Sequence, residues 1–518
     1  MNDGKICVSV CAKKADEFIE SIKRAAKVAD VIELRFDCLD TVEPEKFFKE
    51  LKQIRHNNGI KLLVTFRPKE QGGKRDLSFE ERFNFWRDSH IDEFVDWGDV
   101  EIDIKKHDLD GHLNAIYKRV IYSSHNFFNI PADIEKIYED LSVESVNKNP
   151  NKQTNIVKIA AQANDAKDGL ELMKLLERAK TENRELIPIA MGESGVWTRL
   201  LGLSRGAFMT FAALDEDSAT APGQLTAQEM IDVYRVKELD ETSEIYGLVA
   251  GSVAYSVSPH MHNAAFKNHK MNAVYVPFAV KNLEEFVRRM VNPKTREIDW
   301  NFGGFSVTIP HKIEIMKFLD FVDETAQKIG AVNTVKIDGD KLLGFNTDAD
   351  GFIKPLKNAY GDLNGARVAV FGAGGAARAC VYALLRESAN VTVFARNSEK
   401  AESLATDFDI EIRDLQSQAS SFKNFNIVVN ATPLGMKKGG LENETPATAE
   451  QLEGVGLVYD LVYNPFETKL MREAGEVFVP TIGGLAMLVA QAMAQQKIWT
   501  GFDAPMKEMS AAALRKLN

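Results

Sequence analysis

Short runs of β-branched and apolar residues recur through the first 213 positions: ICVSV from 6, VIELRFD from 31, KLLVTFR from 61, FVDWGDVEI from 94, RVIYSSHN from 119, NIVKIAA from 155, LIPIAMG from 186 and AFMTFAA from 207. Each has the length of a buried strand. Between them lie segments of helical period; Phe18, Ile19, Ile22 and Ala26, for example, form one apolar stripe that fits against a sheet. Eight strand–helix units within about 230 residues predict an N-terminal (β/α)8 barrel.

A helix is predicted from Gln224 to about Leu239, and the charged segment 237–242 then gives way to a fresh strand, Tyr246-Gly247-Leu248-Val249-Ala250. Strands and helices alternate again as far as Asn346-Thr347-Asp348. At Ala366 a third unit opens with the strand ARVAVFG, a glycine-rich turn and a helix, and an apolar helix from Leu485 to Trp499 follows. The expected class is α/β. The expected division is a barrel over 1–240, a second α/β domain over 241–362 completed by helices within 485–518, and a dinucleotide-binding domain over 363–484.

Length and composition agree with several ordinary cores: 518 residues exceed what one core supports, and 45% are hydrophobic against 27% charged. A net charge of -11 argues against nucleic acid as a partner. No apolar run reaches the roughly 18–20 residues of a membrane helix. The four cysteines, Cys7, Cys11, Cys38 and Cys380, show no metal-ligand spacing and no framework of pairs, which suits a reducing compartment. A strand that begins at Ile6 leaves no room for a leader peptide, so a cytoplasmic protein is expected.

Lys158 interrupts the apolar run Ile156-Val157-Lys158-Ile159-Ala160-Ala161. A lysine there either snorkels to solvent or is a desolvated amine able to attack a carbonyl. Glu33 and Arg35 alternate onto one face of the second strand, Arg67 ends the third and His125 the fifth. Strand ends of such a barrel line its active site, and a histidine there is either structural or a general base.

With these residues the first half resembles type I 3-dehydroquinate dehydratase, through Glu33-Leu34-Arg35-Phe36-Asp37, Thr65-Phe66-Arg67, Ser123-Ser124-His125, Val157-Lys158-Ile159, Met191-Gly192 to Thr198-Arg199, and Ala221-Pro222-Gly223-Gln224. The resemblance implies that Lys158 forms a Schiff base and that His125 removes the C2 proton and assists loss of the hydroxyl. It also implies that Glu33, Arg35, Arg67, Arg199, Thr220 and Gln224 position the substrate, the arginines taking its carboxylate. Pro222-Gly223 would belong to a lid loop. One position departs from the family: Gln71 stands where a glutamate is usual, so either Glu70 substitutes for it or His125 is tuned differently.

In the second half, Gly372-Ala373-Gly374-Gly375-Ala376-Ala377 links a strand to a helix, an order suited to a dinucleotide pyrophosphate. The next strand ends in Arg396-Asn397-Ser398 with no acidic residue for ribose hydroxyls, and a guanidinium there suits the 2′-phosphate of NADP. Ser256-Val257-Ser258-Pro259-His260, Val307-Thr308-Ile309-Pro310-His311-Lys312, Gly330-Ala331-Val332-Asn333-Thr334 and Gly344-Phe345-Asn346-Thr347-Asp348 punctuate an otherwise apolar pattern. Each could also be a cap or turn.

Together with Asn430-Ala431-Thr432-Pro433-Leu434-Gly435-Met436, Asp460-Leu461-Val462-Tyr463-Asn464-Pro465 and Met487-Leu488-Val489-Ala490-Gln491-Ala492, these clusters resemble shikimate dehydrogenase over 246–518. The resemblance implies a Rossmann domain, Lys312 and Asp348 as the catalytic pair, and Ser256, Ser258, Thr308, Asn333 and Gln491 as substrate contacts. It implies NADP contacts at Gly372, Gly374, Gly375, Ala376, Arg396, Ser398, Thr432 and Gly484, and no metal. Ala395-Arg396-Asn397 departs from the usual Asn-Arg-Thr. The product of the first activity, 3-dehydroshikimate, is the substrate of the second, so the expected function is two consecutive shikimate-pathway reactions on small molecules. A ligand sensor that kept both folds but lost catalysis, and a quinate or shikimate dehydrogenase that uses NAD, are the competing readings; Lys158, His125, Lys312 and Asp348 weigh against the first and Arg396 against the second.

Overall fold

A computed structural model describes the chain except residues 1, 41–43, 89–90, 92–93, 109–112, 114–118, 144–154, 255, 397, 415–420, 438–439 and 518, together with the side chains of 44–46, 57, 88 and 398–400. It divides into two compact units: Met1–Ile245 with Ala250–Ala254 and Asn272–Asn301, and Tyr246–Val249 with Tyr255–Met271 and Phe302–Asn518.

In the first unit the eight apolar runs become eight parallel strands, β1 (Lys5–Val10), β2 (Val31–Arg35), β3 (Lys61–Thr65), β4 (Trp97–Glu101), β5 (Arg119–Asn126), β6 (Ile156–Gln162), β7 (Leu186–Met191) and β8 (Met209–Ala212). They pair in the order β7-β6-β5-β4-β3-β2-β1-β8. Phe208 N donates to Leu186 O at 3.0 Å, which brings the start of β7 to the start of β8 and nearly closes the ring. Among the described residues every connection holds a helix: α1 (Ala15–Ala25), α2 (Pro44–Asn58), α3 (Phe79–Asp88), α4 (Ile102–His107), α5 (Ile134–Ser142), α6 (Gly169–Thr181) and α7 (Val196–Leu201). α1 shows why: Phe18, Ile19, Ile22 and Ala25 recur at helical spacing and are buried, while acidic Asp16 and Glu17 open it and basic Lys23 and Arg24 end it, as its dipole favours.

The period of two along each strand builds the site. At one level of the barrel interior Cys7, Val31, Leu63, Trp97, Ile121, Ile156 and Ile187 form an apolar plug. Two residues further on, the same faces carry Ser9, Glu33, Thr65, Asp99, Ser123 and Lys158, all buried. Each large apolar side chain of the plug contributes about 1.5–3 kcal/mol by burial. That stability supports the layer of buried charge above it.

Two expectations fail in this unit. The helix after Gln224 is only α8 (Ala227–Asp232), because the chain turns at Arg235, whose φ is 52°, and tucks Val236 and Leu239 inward. Cys11 and Cys38 are joined as a disulfide, contrary to the reading of four unpaired cysteines. Cys11 follows β1 and Cys38 follows β2, and these parallel neighbours bring together two residues 27 apart in sequence. Cys7 and Cys380 are free and buried.

The second unit takes most of β9 (Glu244–Ala250), then α9 (Ser258–Asn268); β10 (Ala273–Ala279) belongs to the first unit. Its mixed sheet continues with β11 (Phe302–Val307), β12 (Phe321–Val322), β13 (Thr334–Asp338) and β14 (Lys341–Phe345), where β11 and β13 are antiparallel, as are β13 and β14. Next come α10 (Asp348–Tyr360), β15 (Arg367–Phe371), α11 (Gly375–Arg386), β16 (Asn390–Ala395), α12 (Ser398–Phe408), β17 (Glu411–Asp414), β18 (Ile427–Asn430), β19 (Leu457–Asp460), α13 (Lys469–Glu476), β20 (Thr481–Ile482), α14 (Gly484–Thr500) and a last helix, α15 (Met506–Leu517). Strands β15 to β20 form one parallel sheet in the order β17-β16-β15-β18-β19-β20. Val368, Val370, Val393 and Val429 bury one face of it and Ala369, Phe371, Phe394 and Val428 the other, as a sheet covered on both sides requires. Among the described residues no helix is long and apolar enough to cross a membrane.

Candidate active sites

At the C-terminal ends of the barrel strands, Glu33, Arg35, Arg67, His125, Lys158, Arg199, Thr220 and Gln224 line one cavity, together with Ser9 and Gln71. Lys158 Nζ donates to Asp99 Oδ2 at 2.6 Å and lies 3.9 Å from the centre of the Phe211 ring. The same oxygen accepts from Arg67 Nη2 at 2.8 Å. Burial works against a charged Asp99, yet Arg67 and then Lys158 hold its carboxyl far below the usual carboxylate range.

Arg67 also reaches His125: Nη1 lies 2.8 Å from Nε2. A guanidinium has no acceptor, so Nε2 accepts and the ring proton resides on Nδ1. Burial, then Arg67 and Lys158, push the His125 pKa well below its ordinary value. This imidazole is a neutral base. Glu101, 3.4 Å from Arg67 Nε and 3.3 Å from Arg82 Nη1, is pushed up to about 7 by burial, against the pull of Arg67.

The other lining residues are fixed by local bonds. Arg35 forms two bonds to Asp37, at 2.9 and 2.8 Å, and a third to Gly72 O. Glu33 accepts from Ser9 and, at 2.7 Å, from Thr65. Gln224 Oε1 accepts from Thr220 N at 2.7 Å, and Gly192 N donates to Pro222 O, which seats the 220–224 loop. Arg199 is 2% exposed and its guanidinium donates, at 3.3 and 3.4 Å, to two carbonyl oxygens. Burial pushes its pKa down to about 10. A buried cation whose hydrogen bonds end on carbonyls is suited to an incoming carboxylate.

In the second unit, Lys312 Nζ meets Asp348 Oδ2 at 2.5 Å and Asn333 Nδ2 meets Asp348 Oδ1 at 2.8 Å. Asp348 opens α10, where its charge complements the helix dipole. Thr308 directly follows β11, and Ser258 N donates to Ser256 Oγ at 3.2 Å at the start of α9. Gln491 lies on α14 against Gly351 of α10, with its amide donating to Leu488 O. Gln495, one turn further on, was not anticipated: Nε2 donates to Asn333 O and Thr334 Oγ1, and Oε1 accepts from Ser306.

The glycine turn after β15 needs its first glycine. Gly372 has φ 111°, and a Cβ there would stand 2.9 Å from Ala431 O. Space opens beyond Gly374, and α11 begins at Gly375 without a side-chain cap. A Cβ on Gly375 would stand 3.7 Å from Lys312 Cδ, so the glycine turn and Lys312 are neighbours.

Residues 6–241 match type I 3-dehydroquinase, 248–335 a shikimate dehydrogenase substrate binding domain, 355–442 shikimate/quinate 5-dehydrogenase and 484–514 a shikimate 5′-dehydrogenase C-terminal domain. A bifunctional 3-dehydroquinate dehydratase/shikimate dehydrogenase of Arabidopsis thaliana, a chloroplastic protein, is 34% identical across 97% of this chain and 83% of its own length. The chain belongs to this bifunctional family. Its second half is also 39% identical to an NADP+ shikimate dehydrogenase of Methanocaldococcus jannaschii, over 54% of this chain and 99% of that one. A crystal structure of a shikimate dehydrogenase in complex with NADP+ superimposes on the same share, with a TM-score of 0.50 and 38% identity, and is covered over 98%.

The dehydrogenase half has features that fit a dinucleotide: open space at Gly374, an uncapped helix start at Gly375 and the exposed Arg396 just past β16. Ala376 lies in the first turn of α11, Thr432 follows β18 and Gly484 starts α14. The side chain of Ser398 lies outside the described residues, as does Asn397. In the dehydratase half, Gln71 lines the cavity and Glu70 is exposed outside it, so Glu70 does not replace the usual glutamate. Asp99 and Glu101 are the residues that sequence reasoning missed. They alternate on β4 as Glu33 and Arg35 do on β2, and that parity was the available signal.

Proposed function

We propose that this chain dehydrates 3-dehydroquinate to 3-dehydroshikimate at the barrel mouth and reduces 3-dehydroshikimate to shikimate with NADPH in the second half. The observation that carries the reading is common to both halves: a lysine amine held on an aspartate, Lys158 on Asp99 in the cavity that His125 also lines, and Lys312 on Asp348, whose other oxygen is held by the Asn333 amide.

In the first reaction Lys158 Nζ attacks the ring ketone and water leaves, giving an imine that serves as electron sink. His125, kept neutral, takes the C2 proton on Nε2 as the Arg67 bond to that nitrogen gives way, and returns a proton to the departing hydroxyl; hydrolysis of the imine frees Lys158. Arg199, with Arg35 and Arg67, accounts for carboxylate binding, and Thr220 and Gln224 belong to the loop that covers the ring. In the second reaction bound NADPH supplies a hydride. Lys312 and Asp348 deliver the proton to the carbonyl oxygen, and Ser256, Ser258, Thr308, Asn333 and Gln491 hold the ring. Gly372, Gly374, Gly375, Ala376, Thr432 and Gly484 would line the dinucleotide, with Arg396 and Ser398 toward its 2′-phosphate.

The proposal assigns 1–240 to the dehydratase, 241–362 with 485–518 to shikimate binding, and 363–484 to the nucleotide. The deciding experiment supplies purified protein with 3-dehydroquinate and NADPH and follows nucleotide oxidation and products together. Oxidation of NADPH with shikimate formed requires both sites; no oxidation even with 3-dehydroshikimate overturns the second assignment. Absence of a borohydride-trapped adduct on Lys158 overturns the first.

A further inference from the structure

Asp460 ends β19, fully buried, in register with Asn430 at the end of β18. Its Oδ1 accepts from Asn430 Nδ2 at 2.9 Å and from Val462 N at 3.0 Å, and its Oδ2 accepts from Thr468 Oγ1 at 2.6 Å. Two of these bonds lead to the dinucleotide cradle. The Asn430 amide, held by the carboxylate, turns its oxygen to Thr432 and accepts from Thr432 N at 3.0 Å and Oγ1 at 2.6 Å. Thr432 in turn closes on the glycine turn, since a Cβ on Gly372 would lie 3.2 Å from Thr432 Cγ2. On the other side Val462 O accepts from Gly484 N at 3.3 Å, and a Cβ on Gly484 would come within 2.1 Å of Leu461 O. The third bond fixes Thr468, which caps α13.

We propose that Asp460 is a positioning residue for the dinucleotide: one buried carboxylate sets the spacing between the Thr432 loop and the start of α14 at Gly484. The proposal rests on the reading of this half as an NADPH-dependent reductase. The groups facing Asp460 are uncharged: an amide from β18, a backbone N–H from the chain after β19 and a hydroxyl from the start of α13. Burial pushes the carboxyl up to about 6, against the pull of those three bonds. A proton on either oxygen removes an acceptor, so the cradle loosens as pH falls through that value.

The test is NADPH binding to the full chain, read by nucleotide fluorescence between about pH 5 and pH 8. The 2′-phosphate of NADPH titrates in the same range, so the readout is the difference between variants. Asp460→Asn is expected to bind NADPH about 10-fold more weakly at neutral pH and to show only the nucleotide's own titration. Thr468→Val removes a bond that favours the charged carboxylate, so its midpoint should move upward. Asp460→Asn with wild-type affinity and an unchanged pH profile overturns the proposal. If circular dichroism shows Asp460→Asn unfolded, Thr468→Val decides alone, and an unmoved midpoint overturns it. Wild-type protein that fails to bind NADPH sinks the reductase reading and this proposal with it.

Discussion

Lys158 and Arg67 share a single oxygen of Asp99, Nζ at 2.6 Å and Nη2 at 2.8 Å, while Asp99 Oδ1 has no hydrogen-bond partner among the described residues. The aspartate therefore does more than neutralise a buried lysine. In the proposed imine step Nζ would move toward substrate, leaving the Arg67 bond on Oδ2 and an Oδ1 free to receive a donor. The Arg67 bond would then keep the carboxylate charged after the lysine has lost its own charge.

Asp99→Asn tests this directly. The amide cannot balance two cations, and breaking such a buried pair costs about 3–5 kcal/mol of stability. Dehydratase kcat is expected to fall by at least ~100-fold, with slower borohydride trapping of Lys158 and a smaller change in KM. Denaturant unfolding separates the stability loss from the kinetic one. A variant that traps substrate at the wild-type rate would show that Asp99 is only structural.

Gln71→Glu restores a carboxylate where the cavity now has an amide. With Gln71, burial and Arg67 hold His125 neutral well below its ordinary pKa, so the acid limb of kcat/KM for dehydration should lie well below pH 6.5, the unperturbed value for histidine. A nearby carboxylate stabilises the imidazolium and raises that pKa. The acid limb of Gln71→Glu is expected to move up by about one pH unit, measured as kcat/KM against pH. An unmoved limb would mean that residue 71 does not sense His125.

The eight barrel strands and the Rossmann sheet were legible because fully buried parallel strands read as continuous apolar runs. Glu33, Arg35, Arg67, His125 and Lys158 were legible because each breaks such a run with charge or caps its end, whereas Arg199, Thr220 and Gln224 came only from the resemblance to a family. Asp99 and Glu101 break a run too, in FVDWGDVEI, but two further acids, Asp96 and Asp103, flank them and blur the inward parity. The Cys11–Cys38 bond depends on two strands lying side by side, which no local spacing encodes. Likewise the early end of α8 comes from the tertiary burial of Val236 and Leu239, which outweighs the helical pattern that continues past Asp232.

Arg396 is exposed just past β16, whose last residue, Ala395, pairs with Asp414 of β17. An acidic side chain at 396 would repel a 2′-phosphate and accept bonds from ribose hydroxyls. Arg396→Glu is expected to raise KM for NADPH by about 100-fold, near 3 kcal/mol, while NADH changes by less than about 5-fold. Equal losses for both nucleotides would place the 2′-phosphate elsewhere.

Lys312 and Asp348 should behave as one unit. Asp348 spends Oδ2 on Lys312 and Oδ1 on Asn333, so removing Lys312 leaves the carboxylate half-satisfied at the start of α10, and removing the carboxylate releases both partners. Lys312→Ala and Asp348→Asn are each expected to lower shikimate dehydrogenase kcat by about 10³-fold, with NADPH affinity retained. Because both changes abolish the same proton delivery, the double variant should be little worse than either single one. Additive losses, near 10⁶-fold in the double variant, would mean that the two side chains act on separate steps. The dehydratase rate of the same preparations, expected to stay at the wild-type value, shows that the barrel half is intact.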